Sequence, residues 1–449
     1  MAASTTDSAA SATLGRVSLR HSSWNGQRKG IFIPLVGAAV MLYLVFLGDM
    51  SYLFGTTFHQ RDHIHALNVL VIDFDGGAIS EALSNTYQHM QGAGFPTLDF
   101  QSASGRYSDP AAVRDAVCSG DYWGAMYTHA GASDELASAV SGGPGAADYA
   151  PNNTVSYIYN QARYPTIADN ALGANLRALV TAAREAYYGT DQGREALANL
   201  DRADAGAVQA FLNPFQPSAE LITPTMQGSR AYYNTLNVVF PILLTFFFLL
   251  VVNGISIAKG LPLRLRRRDF WILRFVVSKA YAFFAALIIT AYTWAFREDW
   301  AVGSHVFATN WMIVWFLIDI NWQVFDATIG AYVPMELAPI FMMTWVLMNV
   351  ASAAFPLQIA PGFYRIGFAF PAYNIYSLQV QAWSGCANEL HIALPVLFTW
   401  WVLGHIAAVF AVRKRCADAE KAAMPVVDEP AQHKQADVAS VGLDTPKVA

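Results

Sequence analysis

The chain has 449 residues, of which 54% are hydrophobic, 13% aromatic and only 14% charged, with a mean hydropathy of +0.30. An ordinary soluble domain is about a quarter charged, and a net charge of −5 offers no basic surface for a phosphate backbone. These figures exclude a purely soluble enzyme, a disordered chain and a nucleic-acid binder, and leave a membrane protein.

In chain order, residues 1–30 are rich in Ala, Ser and Thr and carry Arg16, Arg20, Arg28 and Lys29 against one acid, Asp7. With no apolar face to pack, they predict a disordered cytoplasmic tail. Residues 31–54 are a continuous apolar run, long enough for the roughly 20 residues that cross a bilayer. The run is too long for a signal-peptide core and lacks a small-residue cleavage site, so it predicts a retained first transmembrane helix.

Residues 55–230 change character, with nine Arg, no Lys and eighteen Asp plus Glu. Strand-like runs at 67–75, 122–129 and 154–161 alternate with helical patterns through Met90 and near 110–118, 133–141, 166–188 and 192–211. That alternation predicts an α/β domain, with a Gly- and Pro-rich loop at 142–153.

Residues 231–415 turn apolar again and predict five further spans, near 235–257, 274–296, 306–327, 336–357 and 391–412. Between the last two, residues 358–390 are aromatic and broken by Pro and Gly, which predicts a re-entrant or interfacial hairpin. Residues 416–449 predict a second disordered cytoplasmic tail. The expected fold is an α-helical polytopic membrane protein of about six spans, with an extracytoplasmic α/β domain inserted between spans 1 and 2.

Orientation follows the Lys and Arg of short loops. Lys259, Arg264, Arg266, Arg267 and Arg268 lie in one link, and Arg413, Lys414 and Arg415 follow the last span. Both then face the cytoplasm, and the domain at 55–230 faces the exterior. Loop 328–335 has no basic residue to mark its side.

Candidate sites are few. Asp319, Gln323 and Asp326 share one face of the fourth span by their spacing. An intramembrane carboxylate is costly and marks a substrate or ion path, whereas helix packing and an interfacial position are the plainer readings. Asn321 lies in the same span, and Glu336 and Asn349 in the next. The link Lys259 to Arg268 is either a contact for acidic lipid or a cytoplasmic partner, or only a topology signal. Asn152 heads the single N-x-[ST] sequon, in the loop expected outside.

Cys118 and Cys386 fall on the exterior side, where a bridge is chemically open, but two buried thiols are the plainer expectation. Cys416, beside the basic run, is a candidate for acylation. His59, His63 and His65 with Asp62 form a loose group read as solvated side chains, and Asp73 and Asp75 are read as turn and capping residues. There is no P-loop, HExxH or GxSxG motif. No catalytic, metal or cofactor residues are expected, and no enzyme.

The order of one span, a large exterior domain and five spans resembles type-2 ABC exporter permeases. The segments VLVIDFDGGAISEAL (69–83), DYWGAMYTHAGASDEL (121–136), VSYIYNQAR (155–163) and YYNTLNVVFPILLTFFF (232–248) resemble the fungal nitrosoguanidine-resistance family of DUF3533 type, related to the bacterial YhgE/Pip phage-infection proteins. The resemblance covers about residues 30–415. It implies a role in resistance to toxic compounds, by transport or by altered lipid distribution, with a non-transporting scaffold or regulator of a flippase or drug pump as the alternative. The expected partners are the lipid bilayer, other membrane transporters or a separate ATPase, with a homo-oligomer open and no nucleic acid. With no retrieval signal in the sequence, the plasma membrane is the expected location.

Overall fold

The computed structural model describes residues 22–300 and 302–424. Helix α1 (Arg28–Gly55) opens the chain after a short 3-10 turn at Ser22–Trp24. It begins three residues before the predicted span, inside the segment expected to be disordered. Residues 1–21 and 425–449, the remainder of the two predicted tails, lie outside the described residues.

The next part is built on one mixed five-stranded sheet. Its elements in order are β1 (Asn68–Asp73), α2 (Ala78–Met90), β2 (Thr97–Gln101), α3 (Pro110–Ser119), β3 (Gly124–Thr128), α4 (Ala132–Val140), β4 (Val155–Asn160), α5 (Ala174–Tyr187), α6 (Asp191–Ala198), α7 (Ala205–Leu212) and β5 (Pro217–Ile222). The strand order is β2-β1-β3-β4-β5. All pairs are parallel except β3 with β4, where Met126 faces Tyr157 in an antiparallel register.

Central strands β1 and β4 are covered on both faces, so Val69 to Ile72 and Val155 to Asn160 are buried without a break. One face, with Leu70, Ile72, Ala125, Tyr127 and Ile158, packs on Val113, Ala116 and Val117 of α3. The other, with Val69, Val71, Met126, Tyr157 and Tyr159, packs on α2, α4 and α5. Local chemistry sets the helix ends. Asp109 caps α3 by accepting from the Ala112 amide at 3.0 Å, Pro110 fills its first turn, and Gly120 closes it with φ of +89°.

The edge strands β2 and β5 are absent from the predicted elements. Both are half exposed, and β5 starts at a proline, so neither carries the apolar run that marks β1 and β4.

The second part is helical: α8 (Tyr233–Ala258), α9 (Arg267–Ala295), α10 (Ser304–Thr328), α11 (Ala338–Ala353), α12 (Pro371–Ser384) and α13 (Leu390–Ala423). Among the described residues, five helical segments are long and apolar enough to cross a membrane: α1, α8 with the turn before it (Gly228–Ala258), α9, α11 with the turn before it (Met335–Ala353) and α13. Their patterning is inverted relative to a soluble bundle. In α8 the inward stripe includes Asn234, Asn237, Thr245, Asn253 and Ser256, while Phe240, Phe247, Val251 and Ile255 face outward. In α13, Ala393, Gly404, Ala408 and Ala411 face inward and Phe398, Leu403, Ile406 and Phe410 outward. Small and polar groups inside with large apolar groups outside suit a lipid solvent, so the protein is a membrane protein.

Helix α10 differs, and its position explains why. It packs against α8, α9, α12 and α13, and Asn310, Asp319, Asn321, Gln323 and Asp326 are all buried in it. A helix so surrounded need not present an apolar surface to lipid. The segment 358–390, expected as a re-entrant or interfacial hairpin, holds two 3-10 stretches and then α12, fourteen residues long and buried over most of its length. Helix α13 continues to Ala423, so residues 416–423 extend that helix and are not part of a tail.

Candidate functional site

The predicted polar face of α10 separates into two buried clusters, about 10 Å apart at 1.5 Å rise per residue. At the first, the Asp319 carboxylate is fully buried and pairs with Lys279 of α9. It also accepts from Trp401 Nε1 at 2.8 Å and from Gln323 Nε2 at 3.3 Å. Lys279 Nζ in turn donates to His405 Nε2 at 2.9 Å, and His405 Nδ1 donates to the Trp401 carbonyl at 2.7 Å. The result is a chain of three ionisable groups, Asp319, Lys279 and His405, inside the helix bundle. Gly404 allows it, since a side chain there would run into the Gln323 Cβ, 2.6 Å from where its own Cβ would stand.

At the second cluster, the Asp326 carboxylate is held between Arg274 of α9 and Arg415 of α13. Arg274 also donates to Asn253 Oδ1 at 2.8 Å, and Arg415 donates to the Asp326 and Ile329 carbonyls. Breaking a buried ion pair by removing one partner costs about 3–5 kcal/mol. Asn321 accepts from Trp345 Nε1 at 2.8 Å, Asn349 accepts from the Ala372 amide at 3.2 Å, and Glu336 is exposed.

Lys279, His405, Arg274 and Arg415 are the functional candidates that reading by segment misses. Arg274 and Arg415 look like topology signals at span ends. The available clue was Lys279, a lone cation inside an otherwise apolar span.

Gln323 also lines an apolar cleft of about 540 Å³ between α10 and α13, with Val324, Ala327, Trp400, Leu403 and Ala407. The cleft therefore runs up to a side chain that donates to Asp319.

The exposed basic residues Lys259, Arg264, Arg266, Arg267 and Arg268 lie at the same end of the bundle as Asp326. Arg267 pairs with Glu420 at 3.1 Å. Loop 328–335 is at this end too, because Gly330 and Met335 share a cavity with Pro262, Arg274 and Arg415.

Cys118 and Cys386 are joined in a disulfide, which overturns the expectation of two separate thiols. Around it, the Ala387 amide donates to the Cys118 carbonyl at 2.6 Å, Asn160 donates to Ser384 at 3.0 Å, and Arg163 pairs with Glu389 at 3.0 Å. Cys416 is fully buried against Phe270 and Val412, which leaves its thiol no exposure for acylation.

On the sheet, a cleft of about 450 Å³ opens at the carboxyl ends of β1 and β3, lined by Asp73, Gly76, Ser80, Phe100 and Thr128 among others. Asp73 Oδ1 accepts from the Asp75 and Gly76 amides and from the Ser80 and Thr128 hydroxyls. Asp75 accepts from the Ser133 amide and hydroxyl. Asp73 serves the turn, and Asp75 ties it to the first turn of α4. His59 meets Asp62 at 2.9 Å, while the His63 and His65 rings are 6.4 Å apart. Asn152 is exposed, and Thr154 of the same sequon is buried, donating to the Pro151 carbonyl at 2.6 Å.

The family described as "Protein of unknown function (DUF3533)" matches residues 38–406. Over 166 residues the chain is 27% identical to an uncharacterized endoplasmic reticulum membrane protein of Saccharomyces cerevisiae. That stretch is 35% of this chain and 30% of the yeast protein, so the chain spans under a third of that relative. No solved structure matches. The chain belongs to the DUF3533 family.

Proposed function

From its place in the DUF3533 family, we propose that the protein handles an amphipathic molecule within the bilayer, a toxicant or a membrane lipid. Moving that molecule, or shifting its distribution between leaflets, contributes to resistance to toxic compounds. The observation that carries this reading is the Asp319–Lys279–His405 chain, buried beside an apolar cleft that Gln323 shares. An apolar cleft accepts an acyl chain or aromatic body, and ionisable groups behind it supply a place where proton uptake alters helix contacts. The protein acts without enzyme chemistry of its own, alongside a separate ATPase or an ion gradient.

In this reading α10 crosses as well, as the fourth of six spans, and the sheet lies outside the membrane. The disulfide supports that placement, because Cys118 and Cys386 pair stably only on an oxidising side. The exterior of the plasma membrane and the lumen of the endoplasmic reticulum both qualify. The yeast relative carries the second location in its name.

The test is Asp319→Asn, expressed at wild-type abundance in cells lacking the protein. Resistance should be lost, and labelled-lipid or toxicant flux in liposomes should fall about tenfold or more. Full resistance in cells carrying the Asp319→Asn variant would remove ion coupling from the proposal. A second reading, a scaffold for a separate pump, is favoured by the sheet's attachment to the bundle through the disulfide and the Arg163–Glu389 pair, which presents a fixed surface. It expects co-purification with a transporter and no flux by the isolated protein.

A further inference from the structure

The Arg274–Asp326–Arg415 cluster is one negative charge short. Two buried guanidinium groups share one carboxylate, and Asp418, the remaining acid on the adjoining cavity, is paired with Lys414 at 2.6 Å. Donors are left over as well. Arg274 Nη1, Arg415 Nε and Asn253 Nδ2 are buried with no hydrogen-bond partner among the described residues, on residues that are 2%, 9% and 6% exposed. Buried donors without acceptors are costly, and charged ones more so.

The three residues line a common cavity of about 170 Å³, which Ser256, Phe270 and Met335 also border. Its wall includes Gly330, whose φ of +75° suits glycine. A side chain starting there would stand 3.3 Å from Asn253 Nδ2 and 3.9 Å from Arg415 Nε. Two of the free donors thus approach the same spot on the cavity wall, with Met335 Sδ 3.5 Å from it. The cavity lies at the basic end of the bundle, where Pro262 of the Lys259–Arg268 link borders it.

We propose that this cavity is a binding site for a phosphate group, held by Arg274, Arg415 and Asn253. A tetrahedral oxyanion supplies acceptors in several directions and the missing negative charge, and arginine matches its oxygens in pairs. The group arrives either on the headgroup of an anionic lipid at the membrane surface or as free phosphate. This site is separate from the Asp319 cluster and does not rest on the transport reading.

The test uses the purified full-length protein. Its unfolding temperature is measured in detergent with inorganic phosphate against chloride at equal ionic strength, and after reconstitution into phosphatidylcholine vesicles with and without phosphatidic acid. Wild type should be stabilised by at least one of the two phosphate sources. Response to phosphatidic acid alone assigns the lipid, and equal response to inorganic phosphate assigns the free anion; both support the site.

Asn253→Asp keeps the acceptor for Arg274 while placing negative charge where the free amide stood. It should fold, resist unfolding without phosphate, and bind phosphate about tenfold or more weakly. Lys259→Ala with Arg264→Ala should leave the response to inorganic phosphate intact. A wild type indifferent to both phosphate sources overturns the proposal, as does an Asn253→Asp protein that responds like wild type.

Discussion

Asp73 shows how a carboxylate at the mouth of a cleft can be consumed by its own turn. One oxygen accepts from two backbone amides and two hydroxyls, which ties the end of β1 to the start of α2 and to β3. Burial alone would raise its carboxyl, but the hydrogen bonds from Ser80, Gly76, Thr128 and Asp75 outweigh that and hold it below the ordinary 3.8. A depressed carboxylate stabilises the fold at pH above its unfolded value, and that contribution is lost as pH falls through the folded one. Thermal unfolding followed by circular dichroism should therefore show an acid limb below about pH 4, and Asp73→Asn should flatten part of it. An acid limb of unchanged slope in the variant would count against the turn's role. The residue also shows what spacing conveys: the Asp-x-Asp-Gly-Gly pattern predicts a turn, but not that Thr128, far along the chain, completes it.

At the scale of elements, the junction between the sheet and α12 depends on partners far apart in sequence. The disulfide joins the last turn of α3 to the loop after α12 across 268 residues. Nearby, Tyr164 donates its amide to the Tyr376 hydroxyl at 2.8 Å, and Arg163 stacks over Trp123 at 3.9 Å. Five residues after Tyr164, Asp169 pairs with Arg230 at 2.8 Å just before α8. The sheet is thus fastened to the bundle through α3 and through the segment after β4. Cys386→Ser should lower stability by about 2–4 kcal/mol, read as a lower unfolding temperature in detergent, and should free Cys118 for thiol labelling. Unchanged melting with a labelled Cys118 would mean that the polar contacts alone hold the junction. The same scale explains the missing strands, since β2 and β5 are edges whose pairing comes only from β1 and β4.

For the whole molecule, the helices are inside out relative to a soluble bundle, and the charges divide by end. The basic link, Arg415 and loop 328–335 gather at one end, while the sheet caps the other. If the sheet end is lumenal or exterior, Asn152 is available to glycosylation, and Asn152→Gln should abolish an endoglycosidase-sensitive shift in gel mobility. A sequon introduced between Lys259 and Arg268 should remain unmodified, and modification there would invert the orientation. The sequence by itself determined the membrane class, the placement of the apolar helices and the central strands, because apolar length and periodicity are local properties of the chain. It also marked Asp319 and Asp326 as out of place. Only the tertiary structure decided that Asp319 meets Lys279, 40 residues away, that Asp326 meets Arg274 and Arg415, 52 and 89 residues away, and that Cys118 meets Cys386. Which charge neutralises which depends on how helices pack, and a buried charge takes its partner from whichever neighbouring helix can reach it.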